Sequence, residues 1–446
     1  MRQADIFHPD FRARPWWWEW WQPSNELSQD PPRRTDVLIV GAGYGGLSTA
    51  LELARGGSRA VVLERGDFGT GASTRNGGMV SGGVNLGKGI SGKNRDSEAW
   101  QVRKKALLTS GVESMTAIED IIAREGLQAH FIRHGRFMGA FTPAHYADLA
   151  SRVDDFNALA QAGAEMLPRE RQREAIASDY YHGGMLVARA GHLHPACYYG
   201  GLLAAAHKAG AILCAQTEAL AYGRKPGGGY VVKTSRGDIE ASDVVVATNG
   251  YTGDVTPWLK RRLVPVASHI IATEELPAGL GEALIPGSRA IADTKRVLTY
   301  YRLSPDGKRL IFGGRARFTQ APPEVSAPVL YRYMTDRFPQ LKGTRITHAW
   351  TGNVAFAFDW LPHMGRTPDG LRYLMACNGN GVAMMTYLGR ETARKILGGS
   401  NAPANAFDSD DFPTRPLYGG DPSWVLPWVG AWYRMRDWWD RRRAAA

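Results

Sequence analysis

Apolar residues recur along this chain with two different periods. Asp36–Val40 (DVLIV) is a short apolar run that stops at glycines, and it predicts a buried strand. Tyr44–Arg55 then places Leu47, Leu51 and Ala54 on one face, the spacing of a helix. Ala60–Glu64 (AVVLE) is the next apolar run. Strand, helix and strand in this order predict a βαβ unit opening the fold.

The same two periods mark the rest of the chain. Glu98–Glu125 has helical spacing through Ala106, Leu107, Met115, Ile118, Ile121 and Ile122. Phe131–Phe141 alternates like a pair of strands, and Thr142-Pro143 starts a helix expected to reach about Gln161. Pro195–Ala209 reads as a helix with Pro in its first turn. Glu218–Thr234 reads as a hairpin turning at Gly227-Gly228-Gly229, followed by a second buried strand, Asp243–Ala247. Arg296–Arg302 and Arg309–Phe312 alternate like a sheet, and Asn380–Ile396 is a helix. No internal repeat is visible.

This order predicts an α/β fold. Rossmann-type pieces fall at 36–95, 190–260 and 345–400, and sheet-rich pieces at 96–189 and 261–344. A nucleotide domain interrupted by a substrate domain produces that alternation. Residues 1–35 form an arm carrying Trp16, Trp17, Trp18, Trp20 and Trp21. Water is a poor solvent for indoles, so the arm is expected to dock on something. Residues 401–446 form an aromatic and basic tail. In it Trp428, Trp432, Met435 and Trp439 recur every three or four residues, one stripe of a helix. Docking on the core or on the N-terminal tryptophans is the favoured expectation. Peripheral contact with a membrane is the alternative.

Composition narrows the function classes. Hydrophobic residues make up 44 % and charged residues 22 % of the 446 positions, which excludes global disorder. The formal charge is +11, but the basic residues are scattered except at Arg434, Arg436, Arg441, Arg442 and Arg443. No nucleic-acid motif accompanies them, so a solvated basic surface is the expectation. Cys197, Cys214 and Cys377 show neither metal spacing nor a disulfide framework, which fits a reducing compartment. Met1–Trp21 lacks the apolar core of a signal peptide, and no apolar run nears the ~18 residues of a membrane span. A cytoplasmic location is expected.

The chemistry enters at Gly41-Ala42-Gly43-Tyr44-Gly45-Gly46, a G-x-G-x-x-G loop between a strand and a helix. The first glycine permits the turn, the second lets backbone approach a pyrophosphate, and the third lets helix pack on strand. The anion then meets the positive end of the helix. Glu64 ends the next strand, where a carboxylate can accept hydrogen bonds from ribose hydroxyls. After it, Gly69–Met79 (GTGASTRNGGM) is small, polar and glycine-rich, able to run extended beside a long cofactor. His192 and His194 flank Leu193 without carboxylate or thiol partners, so a helix-entry role is preferred to a metal pair.

The loop, Glu64 and Gly71–Gly78 together resemble the FAD-dependent D-amino-acid oxidase and sarcosine oxidase superfamily. Gly183–Leu186, Gly191–Pro195, Tyr301–Leu303, Leu310–Gly314, Phe338–Leu341, Ala349–Gly352 and Gly430–Tyr433 narrow the resemblance to the gamma-glutamylputrescine oxidase branch. The resemblance implies a Rossmann-type FAD-binding domain interleaved with an α+β substrate domain on a mainly antiparallel sheet. It places the ADP part of FAD on Gly41, Gly43, Gly46, Glu64 and Arg65. It runs Ser73, Arg75, Asn76, Gly77 and Gly78 along the ribityl chain and flavin. Thr248, Gly250 and Gly352 supply further contacts, and Gly379, Asn380, Gly381 and Val382 the last. Those residues open a helix whose N-terminus would stabilise negative charge on reduced flavin.

The implied activity is oxidation of an amine by hydride transfer to flavin N5, which needs no catalytic triad. Tyr300, Tyr301 and Trp350 are the expected substrate walls, with Met79 near the flavin and Asn380 as a polar contact. Arg302 is a candidate for a carboxylate, although strand alternation would turn it away from Tyr301. No Arg lies around Trp350, which favours an amine or a gamma-glutamylated amine over a free α-amino acid. Two positions depart from the family pattern: Asn380 stands where relatives often carry His, and Leu310–Gly314 lacks the lysine of sarcosine oxidases. The acceptor that reoxidises the flavin is therefore O2 or another species. Asn76–Gly78 holds no His, and near Trp350 the chain offers His348 but no Cys, so covalent flavin attachment is not expected. An amino-acid dehydrogenase or N-demethylase using a quinone or carrier is a second reading, and a flavin-binding module without catalysis a third.

Overall fold

Parallel pairing around Arg34–Val40 organises one half of the molecule. This strand lies between Ala60–Leu63 and Gly237–Val246, both parallel to it. A parallel sheet is covered on both faces, which is why these strands read as unbroken apolar runs. Ile212–Cys214 and Arg372–Met375 extend the parallel set on either side. The hairpin of Ala219–Arg224 and Tyr230–Thr234 and the strand His363–Arg366 complete eight strands. The computed structural model describes residues 6–82, 97–408 and 411–445, so the part of segment 36–95 beyond Gly82 lies outside them.

Helix Tyr44–Arg55 packs on helix Gly381–Gly398. Small residues let the two approach closely: the Ser48 hydroxyl donates to the Thr386 carbonyl at 2.7 Å and the Thr49 hydroxyl to that of Gly389 at 3.1 Å. Both N-termini open on the carboxyl ends of the parallel strands, where ligands bind in such sheets.

The second sheet has nine strands, in the order Phe7–Arg12, Ile346–Phe356, Val264–Thr273, Leu310–Gly314, Thr299–Leu303, Ala290–Asp293, Arg136–Gly139, Gly184–Val187 and Ala164–Leu167. It is mainly antiparallel, with two parallel pairs, Phe7–Arg12 on Ile346–Phe356 and Ala290–Asp293 on Arg136–Gly139. Met79–Ser81 and Ala190–His192 form a small ribbon.

Several elements differ from the sequence expectation. The arm carries the edge strand Phe7–Arg12, and Ile346–Phe356, grouped above with the nucleotide pieces, pairs within the nine-stranded sheet. Phe131–Phe141 yields one strand, Arg136–Gly139, with Ile132 reduced to a bridge to His192. The helix expected to reach Gln161 is two, Pro143–Ala150 and Val153–Ala160. Between them the Ser151 hydroxyl donates to the Asp148 carbonyl, competing with the helix backbone. Trp16 and Trp17 bury themselves against Ala196, Ile270, Ile311 and Trp350. The tail helix Leu426–Ala445 docks through a different face from the predicted stripe. Leu426, Val429 and Tyr433 meet Val266, Val297, Phe318 and Phe356, away from the N-terminal tryptophans. Buried Asp437 secures it by accepting from the Arg296 and Val297 amides at 3.1 and 3.0 Å.

Candidate functional site

A cavity of about 470 Å³ runs from the strand ends of the parallel sheet to the inner face of the antiparallel sheet. At one end sits the glycine loop. Gly41 has φ +105°, and a Cβ there would press on the Ala247 carbonyl at 3.1 Å. A Cβ on Gly46 would come within 1.9 Å of the Gly41 carbonyl, so helix and strand can meet only without it. Gly43 faces the cavity, where its Cβ would find only the Ser73 hydroxyl. Glu64 accepts from the amides of Ala42 and Gly66, each at 3.2 Å, with one oxygen per amide. Each oxygen keeps lone-pair capacity for a hydroxyl ligand.

Gly41, Gly43, Glu64, Arg65, Ser73, Arg75, Asn76, Gly77, Met79, Thr248, Gly250, Gly352, Gly379, Gly381 and Val382 all line this one cavity. Gly46 and Gly78 sit just behind its wall. Gly78 accepts from the Leu193 amide at 2.8 Å, and its own amide donates to the Asn76 side chain at 2.8 Å.

The wall around residues 74–78 is held from behind by the arm. Trp17 donates its indole N–H to the Asn76 carbonyl at 2.9 Å, and Trp18 donates to the Thr74 hydroxyl at 3.0 Å. The Arg75 guanidinium lies over the Trp18 ring at 4.8 Å. Trp350 belongs to the same clamp: its indole N–H donates to the Arg75 carbonyl at 2.8 Å. It therefore supports the wall from behind, where the sequence reading expected a substrate face. The docking role of the tryptophan arm was legible in the sequence; its target was not.

Arg302 is a second clamp. It donates to the carbonyls of Gly77 and Leu193 at 2.9 and 2.6 Å and to His192 Nδ1 at 2.6 Å. Burial pushes its guanidinium down to about 9. All of its direction is spent on protein atoms behind the cavity, so it does not meet substrate. His192 donates from Nε2 to the Ser288 carbonyl at 2.9 Å, and burial with the nearby Arg302 charge pushes it down to about 3. His194 caps helix Pro195–Lys208, accepting from the Cys197 amide at 3.2 Å, the helix-entry role expected. Among the described residues no His, Cys, Asp and Glu cluster could hold a metal ion.

Tyr300 lines the far end of the cavity. Its ring lies across Gly313, where a Cβ would come within 2.4 Å of it, and against Gly77. Its hydroxyl pairs with that of Ser268 at 2.9 Å, and burial pushes it up to about 12. Tyr301 points the other way, as alternation demands. It stacks on Phe312 at 4.9 Å and pairs with the Tyr181 hydroxyl at 2.8 Å inside the core. Tyr301 is thus no substrate wall. Asn380 is also behind the lining: it sits at the start of helix Gly381–Gly398 and donates to the Ser81 carbonyl at 2.9 Å.

The sequence reading missed Arg315. It lines the cavity beside Tyr300, Ser268, Leu298 and Phe356. It donates to the Arg296 carbonyl at 3.3 Å, and its guanidinium stands 5.0 Å from the Phe356 ring centre. The side chain is half-buried on the cavity lining. Burial lowers its proton affinity, and the ionisable groups facing it are Tyr433 and Tyr300, with no carboxylate among the described residues. Tyr300 pairs with Gly313, so residue 315 shares Tyr300's face two positions on. That alternation is the signal that could have revealed it.

The FAD dependent oxidoreductase (DAO) family matches residues 36–395. The chain belongs to this family. It is 31 % identical over 412 residues to the gamma-glutamylputrescine oxidoreductase of Escherichia coli strain K12, covering 90 % of this chain and 92 % of that one. It is similar in fold to glycine oxidase from Geobacillus kaustophilus, with a TM-score of 0.69 at 21 % identity, over 86 % of this chain and 99 % of the other. L-proline dehydrogenase from P. horikoshii superposes with a TM-score of 0.68 at 19 % identity, over 84 % and 98 %. The protein is an FAD-dependent oxidoreductase of the gamma-glutamylputrescine oxidoreductase-like branch. Its cavity fits that cofactor. Arg65, Arg75, Arg136 and Arg315 give it a basic lining, and the open face of Gly43 lies beside a helix N-terminus.

Proposed function

We propose that this enzyme oxidises an amine that carries a carboxylate at its far end, such as a gamma-glutamylated amine. The observation that carries the reading is Arg315, a cavity-lining cation facing no protein carboxylate. A half-buried charge that faces no protein carboxylate is costly, and a ligand carboxylate would complete the pair. Relatedness to the gamma-glutamylputrescine oxidoreductase supports the same substrate class.

In this reading Gly41, Gly43, Gly46, Glu64 and Arg65 hold the ADP half of FAD. Ser73, Arg75, Asn76, Gly77 and Gly78 flank the ribityl chain and flavin, with Met79, Thr248, Gly250, Gly352, Gly379, Gly381 and Val382 completing the bed. When bound, FAD supplies the electron sink that receives a hydride from the carbon bearing the substrate nitrogen. Asn76–Met79 offers no His or Cys for a covalent bond to the cofactor. Tyr300, set against Gly77, positions the amine end beside the flavin bed, and Arg315 fixes the carboxylate end. Val266, Leu298 and Phe356 keep the space between them dry. The acceptor that reoxidises the cofactor is O2 or a carrier. Three free cysteines fit a reducing, cytoplasmic setting.

The test is the anaerobic rate of flavin reduction by a gamma-glutamylated diamine and by its parent diamine. Preference for the glutamylated compound by tenfold or more, roughly one charge-assisted contact, supports the reading. Equal rates, or preference for the parent diamine, remove the carboxylate from the proposal.

A further inference from the structure

Helix Leu426–Ala445 has two unlike faces. Leu426, Val429, Gly430, Tyr433 and Asp437 turn inward. Trp428, Trp432, Met435 and Trp439 turn outward, and Trp428 is 75 % and Trp432 52 % exposed. Trp424, just before the helix, and Trp438 on its flank are exposed as well. Apolar residues scattered singly on a surface need no explanation, but a ridge of indoles on one helix face does.

Charge identifies the occupant. Arg434, Arg436, Arg441, Arg442 and Arg443 are all exposed. Arg436, Arg442 and Arg443 lie over the rings of Trp432, Trp438 and Trp439, so cation and indole share one surface. The helix's two acids do not offset them there. Asp437 and Asp440 both turn inward to the Arg296 guanidinium, at 3.3 and 2.5 Å. The outward face of the helix thus carries indoles, Met435 and arginines, with neither of the helix's acids on it. A second copy is a poor fit, because a two-fold contact would set these arginines against their own counterparts. Indoles with arginines beside them suit the boundary between lipid headgroups and acyl chains. Among the described residues no helix is long and apolar enough to cross a membrane, so the contact is one of lying on the surface.

We propose that the outer face of helix Leu426–Ala445 docks the enzyme on an anionic phospholipid surface. The inner face of the same helix packs on Phe318 and Phe356, and Phe356 lines the substrate end of the cavity. Docking would therefore hold that end close to the lipid. The proposal does not depend on which amine is oxidised.

The test is flotation of the intact FAD-loaded protein with vesicles of phosphatidylcholine alone and of phosphatidylcholine with phosphatidylglycerol. Binding is expected to the anionic vesicles and to fall with added salt. The triple variant Trp428→Ser/Trp432→Ser/Trp439→Ser should bind about tenfold or more weakly, with unchanged flavin content and melting temperature. The variant Arg436→Gln/Arg442→Gln/Arg443→Gln should lose the salt-sensitive part of binding. No binding of the parent protein to anionic vesicles overturns the proposal, as does binding that the tryptophan variant retains. A concentration-dependent dimer that the tryptophan variant dissolves, without vesicle binding, assigns the face to a second copy and also overturns it.

Discussion

Replacing Arg315 by Met removes one charge from the cavity while keeping a side chain of similar length. In the parent protein this guanidinium lies beside Tyr300 and Phe356 and faces no carboxylate among the described residues. A hydrogen bond to a charged group contributes about 1.5–3 kcal/mol. If Arg315 meets the substrate carboxylate, Arg315→Met should lower kcat/KM for a gamma-glutamylated amine by roughly 10- to 150-fold. The same variant should leave the parent diamine, which has no carboxylate, within about threefold. Stability moves the other way. A half-buried charge that faces no carboxylate disfavours the folded state, so the melting temperature of the variant should be equal to or above that of the parent. Stopped-flow reduction under argon, run with both amines on both proteins, measures the first effect, and thermal denaturation the second. An equal loss on both amines would refute the reasoning, because Arg315 would then be acting on the flavin or the fold. No loss on the carboxylated amine would refute it outright.

Two further perturbations probe the supports behind the cavity. Trp350→Phe removes the indole N–H that the Arg75 carbonyl accepts, at a cost of about 1–3 kcal/mol if that carbonyl is left without a partner. It should release FAD more readily on dialysis and lower the melting temperature, whereas full FAD retention with a changed KM would place Trp350 at the substrate instead. Acid should destabilise the protein through His192, His194 and His269, which burial pushes down to about 3, 3 and 4 from 6.5. The unfolded chain binds protons on these groups that the folded chain refuses, so stability is held above about pH 6.5 and lost as pH falls towards 3. A melting temperature that is flat from pH 7 to 4.5 contradicts this.

The nucleotide half of the fold was readable because its signals are local. Strand Arg34–Val40, the glycine loop, helix Tyr44–Arg55 and Glu64 lie within one βαβ unit, and each fixes the next through short-range geometry. The cavity-facing glycines and polar residues of Gly69–Met79 follow from the same run. The substrate half was less readable because its assignments depend on long-range register. Tyr300 and Tyr301 are adjacent and equally aromatic, and only the pairing of Tyr301 with Phe312 shows which of them faces the core. Arg315 was hidden for the same reason. Trp350 and Arg302 have the chemistry of binding residues, but each directs a donor to a backbone carbonyl of the 75–77 wall, and Arg302 spends the rest on Leu193 and His192. The tail helix was read as docking on the core or lying on a membrane, and its seat on the core comes from Leu426, Tyr433 and Asp437, which the tryptophan periodicity overshadowed.

The most direct test of the account is the visible spectrum of the purified protein under argon, taken before and after a gamma-glutamylated amine is added. The account predicts a yellow protein whose FAD is released by denaturation and whose flavin absorbance bleaches with the amine, then returns when an acceptor is admitted. Rapid return in air would make O2 the acceptor, and return only with a quinone or carrier would make the enzyme a dehydrogenase. A yellow protein that no carboxylated amine can bleach would contradict the claim.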